Sequence, residues 1–311
     1  MSHLIAVHVA AVLFGTAGLF GKLVDLPPTL LVFGRVAFAA VALGLFLAWR
    51  RRPETAARGS RRHAVAEEAA AALDPAATPN AAVTPGHTPP PHRLAFVALG
   101  VLLAIHWVTF FHAIQLSTVA IGLLTYATFP IFTALLEPFL PGERFEGDTL
   151  VAAAVSLAGI ALVVPSADLS DPFTRGAAWG VVSGATFAVL SLANRIWVRS
   201  TSAARLAFHQ DLWAAVALLP FLVAATRWPT PTEWVALIVL GVVLTAGAHA
   251  LFIFGLRGVR AGRASVIASL EPVYGVALAV LLLGERPEVR TLAGGLVVLA
   301  AAAWVSRPAR T

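Results

Sequence analysis

The sequence predicts an all-α integral membrane protein with ten transmembrane helices, arranged as two inverted five-helix repeats. Three observations carry this. Of the 311 residues, 59% are hydrophobic and 12% charged, about half the charged share of a soluble globular chain. Ten apolar stretches approach the roughly 20 residues needed to cross a hydrocarbon core of ~30 Å. Residues 97–163 also overlay 239–305 without a gap.

The stretches fall at 4–24, 29–49, 94–116, 119–140, 149–165, 176–198, 206–226, 234–256, 264–283 and 291–305. Turn-forming residues separate most of them: Leu26-Pro27-Pro28, Pro141-Gly142-Glu143-Arg144, Pro165-Ser166-Ala167-Asp168, Trp228-Pro229-Thr230-Pro231 and Gly284-Glu285-Arg286-Pro287. Only Gln115 to Thr118 divides the third from the fourth. No basic region precedes the first stretch, so a cleaved signal peptide is not expected. Within that stretch Gly15, Gly18 and Gly21 recur every three residues, which close helix packing explains.

Residues 50–92 have a different composition. They are rich in Ala, Pro and Thr, open with Arg50-Arg51-Arg52 and include Pro89-Pro90-Pro91. Such a segment buries too little apolar surface to fold alone and is expected as a mostly disordered cytoplasmic loop, with a short helix over Glu67–Leu73 as an option. Its arginines contact anionic lipid, or the loop is a tolerated insertion. The organisation is therefore 1–49 as the first two helices, 50–92 as the loop, 93–165 as three further helices, 166–306 as the second five-helix repeat and 307–311 as a tail.

Basic residues set the orientation. With the N-terminus in the cytoplasm, sixteen of the 22 Lys and Arg residues fall on inward segments, from Arg50 through Arg310. Lys22, Arg175, Arg227, Arg286 and Arg290 fall outside, and Arg35 lies within the second span. Both termini are expected in the cytoplasm of a multi-pass inner, or plasma, membrane protein. The pI of 11.1 then reflects topology, and no nucleic-acid partner is expected. Zero cysteines exclude disulfides, thiolate metal sites and cysteine nucleophiles.

In the repeat, nineteen of 67 positions are identical. Ala, Leu and Val matches are cheap in so apolar a chain. Pro130/Pro272, the Gly142-Glu143-Arg144/Gly284-Glu285-Arg286 turn and Thr149-Leu150/Thr291-Leu292 are not. Five spans per half force the second half to enter the membrane upside down. Secondary transporters are often built this way, with the solute site near the midplane between the halves.

Ionisable groups within a span cost about 2.5–3.5 kcal/mol and usually face the protein interior or a wet cavity. Glu271, beside Pro272 early in the ninth span, either binds a solute ammonium or a proton, or caps its helix. Glu137, late in the fourth span, reads as a gate or a structural carboxylate. His106 and Trp107 sit together in the third span, and the repeat overlays Trp107 on His249 of the eighth. An indole face suits cations and aromatics, and an imidazole binds or relays protons near neutral pH; a buried interhelical hydrogen bond explains either histidine as well. His112 lies about 240° round the helix from His106 and no His-Glu-x-x-His pattern occurs, so no metal site is expected. His209, Gln210 and Asp211 lie near the cytoplasmic start of the seventh span, as an entrance lining or partners of Arg205; His209 is kept as a gating or proton-coupling candidate. Arg35 is a structural arginine or an anion contact. Tyr126 and Tyr274, the only tyrosines, are expected near the cavity.

Phe129-Pro130 through Pro141-Gly142-Glu143-Arg144, Glu271-Pro272 through Leu283-Gly284-Glu285-Arg286, Arg35, and the aromatic stretch Trp107 to Ala113 together resemble the EamA-type ten-helix permeases of the drug/metabolite transporter superfamily. The long second cytoplasmic loop and the intramembrane histidines depart from the usual pattern. The resemblance implies a central cavity, alternating access and transport of small metabolites such as amino acids, often outward. The expected function is accordingly a secondary transporter, in the export direction, that binds through Trp107, His106, Tyr126, His249, Glu271, Tyr274 and Arg35 and gates through Glu137, Glu271 and His209. A proton-coupled importer is the alternative. An intramembrane enzyme would need a paired nucleophile and base, and a channel a filter or charged ring; neither is legible. No P-loop occurs and Lys22 is the only lysine, so ATP hydrolysis is excluded. No enzyme activity, cofactor or metal is expected. The partners expected are a small-molecule solute and the bilayer, with the chain a monomer or weak dimer.

Overall fold

The structure, a computed structural model, describes residues 2–71, 92–140, 148–164, 166, 168–223, 225 and 227–305. Among these all regular structure is helical. Eight helices are long and apolar enough to cross a membrane: His3–Leu23, Pro28–Arg50, Arg93–Leu116, Val119–Phe139, Pro172–Trp197, Ala203–Val223, Pro231–Gly255 and Ala261–Leu283. Two shorter apolar helices, Leu150–Val163 and Val289–Trp304, take the fifth and tenth places. The protein is thus an all-α membrane protein.

Several helix starts follow from caps. Asp171 accepts from the Phe173 amide ahead of Pro172, which opens the sixth span four residues before its apolar run. Thr230 and Glu233 form a reciprocal capping box that opens the eighth span at Pro231. The helix that begins at Pro28 runs on to Ala71, through part of the 50–92 segment expected to be irregular. Its Ala-, Arg- and Glu-rich composition from Thr55 to Ala71 favours helix. Residues 72–91 and 307–311 lie outside the described residues.

Two spans are broken in the middle. The fourth runs Val119–Tyr126, then Phe129–Leu136. The ninth runs Ala261–Ala268, then Glu271–Leu278. Each second segment has its proline, Pro130 or Pro272, in the first turn, where the missing N–H costs nothing. The eighth span carries a π-helical stretch, Val242–Gly247, of the kind often found at functional sites.

Helix packing reproduces the repeat. The first span packs on the eighth and ninth, and the sixth on the third and fourth. The second packs on the seventh and eighth, and the seventh on the second and third. The fifth and tenth pack on each other. Exchanging the halves maps each of these pairs onto another of them or, for the second–seventh and fifth–tenth pairs, onto itself. Loops between odd and even spans gather at one end, where Lys22 Nζ donates to the Ser117 carbonyl at 2.8 Å and Asp25 meets Arg227 at 3.6 Å. The first span starts at the opposite end, where the His3 ring stacks on Phe254 at 4.6 Å. The sixth finishes at that same end, where Arg257 Nε donates to the Val198 carbonyl at 3.0 Å. The two halves therefore run antiparallel.

Close approach makes this packing possible. A Cβ on Gly15 would lie 2.7 Å from the Glu271 carbonyl, and one on Gly184 would lie 2.8 Å from that of Tyr126. The first and sixth spans thereby lean on the breaks of the ninth and fourth. Gly18 and Gly21 face Leu123 and Ile114, so the glycine series does serve packing.

Candidate functional site

The two halves meet around a buried cluster. Arg35, from the second span, is 0% exposed. Its guanidinium carbon lies 3.5 Å from the centre of the Trp107 ring and 5.2 Å from that of Phe111. Its Nε donates to Thr245 Oγ1 at 3.0 Å, and Thr245 Oγ1 donates in turn to the Leu240 carbonyl at 2.7 Å. That bond skips five residues, across the π-helical stretch, and holds Thr245 and His249 on one face of the eighth span. Both terminal nitrogens of Arg35 are buried without a hydrogen-bond partner.

Glu271 opens the second segment of the ninth span and is 1% exposed. Its carboxylate lies near the Tyr126 hydroxyl, and Arg35 attracts it. Arg35 also attracts Asp211 of the seventh span. Asp211 is 0% exposed, and neither carboxylate oxygen has a hydrogen-bond partner. Its nearest opposite number is His249 Nδ1, 3.5 Å away. Beside it Gln210 Nε2 donates to Asn194 Oδ1 at 2.5 Å.

His106 has a definable tautomer. Its Nδ1 lies 3.0 Å from the Ser183 carbonyl. A carbonyl only accepts, so Nδ1 carries the proton and Nε2 of the neutral ring is left as an acceptor. That Nε2 is buried and unpartnered, as is Trp107 Nε1. Aromatic rings close the remaining sides. Tyr126 stacks on Phe129 at 5.0 Å, Phe187 meets Phe129 edge-on at 5.0 Å and Phe252 at 5.4 Å, and Phe14 lies 6.1 Å from Trp107. Chemically, the cluster offers a guanidinium for a carboxylate, two carboxylates for a cation, an imidazole acceptor and several ring faces.

The cluster unites Arg35, His106, Trp107, Tyr126, His249 and Glu271 of the sequence-derived candidates. Tyr274 is half-buried, its Cβ facing Gly15. His209 is half-buried with its ring 4.3 Å from Phe96. Glu137 forms a 3₁₀ turn at the end of the fourth span, its carboxylate near Gly262 at the start of the ninth. Asp211 and Thr245 are the residues that sequence reasoning missed. The available signal was an aspartate within the apolar run of the seventh span, which was assigned to the helix start and to Arg205. No His, Asp or Glu group able to hold a metal occurs among the described residues.

A carboxylate of the second half also reaches a helix start of the first. Gly284, with φ of +66°, turns the chain so that Glu285 accepts from the Val119 amide at 3.0 Å and the Ala120 amide at 3.4 Å. A left-handed residue there suits glycine. Next to this contact, a cavity of about 460 Å³ opens at the same end, lined by Lys22, Asp25, Gln115 and Arg227 among others. The Arg227 guanidinium, bonded to Glu233 at 2.7 and 2.8 Å, is held above its ordinary pKa by that pair.

The chain matches the EamA-like transporter family over residues 1–164 and 174–307, and it belongs to that family. An uncharacterised transporter of Archaeoglobus fulgidus is 32% identical over 60% of this chain and 67% of its own. An S-adenosylmethionine uptake transporter of Rickettsia bellii is 25% identical over 66% and 70%. An aromatic amino acid exporter of Ancylobacter novellus is 29% identical over 46% and 51%. A protein crystal structure superposes with a TM-score of 0.63 at 19% identity, covering 98% of this chain and 97% of that one, which is a likeness of fold.

Proposed function

We propose that this member of the EamA-like family is a secondary transporter that exports a small amino-acid-type metabolite by alternating access, from a site formed by the Arg35–Trp107–Glu271 cluster. One observation carries the reading. At the junction of the two halves, the Arg35 guanidinium, the Asp211 carboxylate, the His106 and His249 rings and the Trp107 indole are buried with donor and acceptor atoms left unpartnered. Buried polar groups are normally satisfied, so such atoms suit a polar guest. Arg35 takes the solute carboxylate, the acids take its ammonium, and Trp107 and Tyr126 pack its side chain. His106 and His249 supply further polar contacts. Tyr274 joins the lining when the halves rock, and Glu137 and His209 act as gates on the cytoplasmic side.

Both termini lie in the cytoplasm and the protein sits in the plasma membrane, a reading supported by the uneven spread of arginines. The outward direction is supported by likeness to an aromatic amino acid exporter, and the aromatic walls of the cluster agree with that solute class. The chain acts as a transporter rather than an enzyme, and as a monomer or weak dimer.

Proteoliposome counterflow tests this directly. Purified protein loaded with tryptophan, phenylalanine or S-adenosylmethionine is expected to show saturable exchange of at least one amino acid. Glu271→Gln is expected to abolish it and Trp107→Ala to reduce it at least tenfold. Wild-type rates in both variants would remove this cluster from the transport path.

A further inference from the structure

The buried charges of the cluster do not balance. Arg35 supplies one positive charge, and Glu271 and Asp211 two negative ones. Both carboxylate oxygens of Asp211 are bare. An isolated buried carboxylate is so costly that it takes up a proton or a partner. Facing it at 3.5 Å is His249 Nδ1, itself without a hydrogen bond.

We infer that Asp211 and His249 form a second ionisable site, which holds one proton when no solute is bound and gives it up when a solute brings its own cationic centre. This rests on the transport reading above and assigns its coupling step. The balance holds for a solute of net charge +1, such as an amine or a sulfonium-bearing amino acid: one monocation enters, and one proton leaves the Asp211–His249 pair for water, so the buried charge is unchanged.

The surroundings suit this exchange. The spans packed on the seventh contribute Arg35 from the second, neutral His106 from the third and His249 from the eighth. Glu271 faces the same space from the ninth. On the seventh span itself, His209 stacks with Phe96 instead, and Arg205 lies near the helix start, more than a turn away. Arg35 attracts both acids, but its Nε is committed to Thr245. The extra proton is therefore placed on the pair that lacks hydrogen bonds. The cation accepted is an ammonium or sulfonium centre beside an aromatic or other flat group, which Trp107 can face.

The test uses the full-length protein in detergent, weakly buffered, with a pH-indicator dye and tryptamine as the probe. Wild type is expected to release one proton for each tryptamine bound. Asp211→Asn, brought to saturation with tryptamine, is expected to bind more weakly and to release no proton, and Asp211→Glu to restore both binding and release. Absence of binding by wild type, or release that survives in Asp211→Asn but vanishes in Glu271→Gln, overturns the assignment. A second readout needs no change at Asp211. The nitrogen-15 signal of the His249 ring, identified by its loss in His249→Gln, is expected to move on adding tryptamine; an unmoved signal is contrary to the proposal. Proton release without counterflow of any amino acid leaves the pair standing and refutes the transport reading, and counterflow of a net-monocationic solute such as S-adenosylmethionine without proton release does the reverse.

Discussion

The fourth and ninth spans are built on one plan and put to different uses. Both break at the same place in the repeat, before Pro130 and Pro272, and each break is crossed closely by a glycine-bearing span of the other half. The side chain ahead of the proline differs. Phe129 packs among Tyr126 and Phe187, whereas Glu271 faces Arg35 and Tyr126. The contrast recurs in the third and eighth spans, where Leu103 and Trp107 overlay Thr245 and His249. In these spans the first half supplies mainly ring and aliphatic surface, and the second half most of the hydrogen-bonding chemistry. The duplication fixes where the backbone bends, and the asymmetry decides what binds there.

This division of labour can be broken at matched positions. The largest effect on stability is expected from Phe129→Ala, which empties a fully buried ring site at about 3–5 kcal/mol. Unfolding in detergent should occur earlier while amino acid counterflow persists, the reverse of Glu271→Gln. Loss of transport at unchanged stability would show that the aromatic half also does the chemistry. Thr245→Val should cost about 1.5–3 kcal/mol, because Arg35 Nε loses its acceptor; Leu103→Val at the matched position should cost less. Denaturant midpoints of the two variants compare them directly. The smallest effect is expected from the two glycines. Gly15→Ala and Gly184→Ala should each cost about 1–3 kcal/mol through overpacking. Only Gly15→Ala, pressing on the Glu271 carbonyl, should also slow counterflow. Equal slowing by both would argue that the two breaks matter alike.

Much of this architecture was legible in the sequence. Apolar length and proline- or glycine-rich turns located the spans, and the in-register Pro and Gly-Glu-Arg matches exposed the duplication. Helix starts at Pro172 and Pro231 were legible less well, because caps at Asp171 and Thr230 extend a helix beyond its apolar run. Six of the cluster residues stood out because charge, imidazole or indole in a span is conspicuous. Asp211 did not, since its place beside His209 and Arg205 reads as a helix start. Its role depends on the rotation of the seventh span against the eighth, which the sequence alone does not give. Thr245 was invisible for a related reason: the π-helical stretch shifts which residues face inward.

The fifth and tenth spans, which pack on each other apart from the site, bear on the surrounding lipid. Their helices, Asp148–Val163 and Val289–Val305, have 16 and 17 residues. At about 1.5 Å per residue each reaches roughly 24–26 Å, short of a ~30 Å hydrocarbon core. Over these described lengths, the bilayer on this flank has to pinch inward, or nearby arginines must stretch toward the headgroups. Acyl-chain length is thus a variable that the transporter feels along one edge.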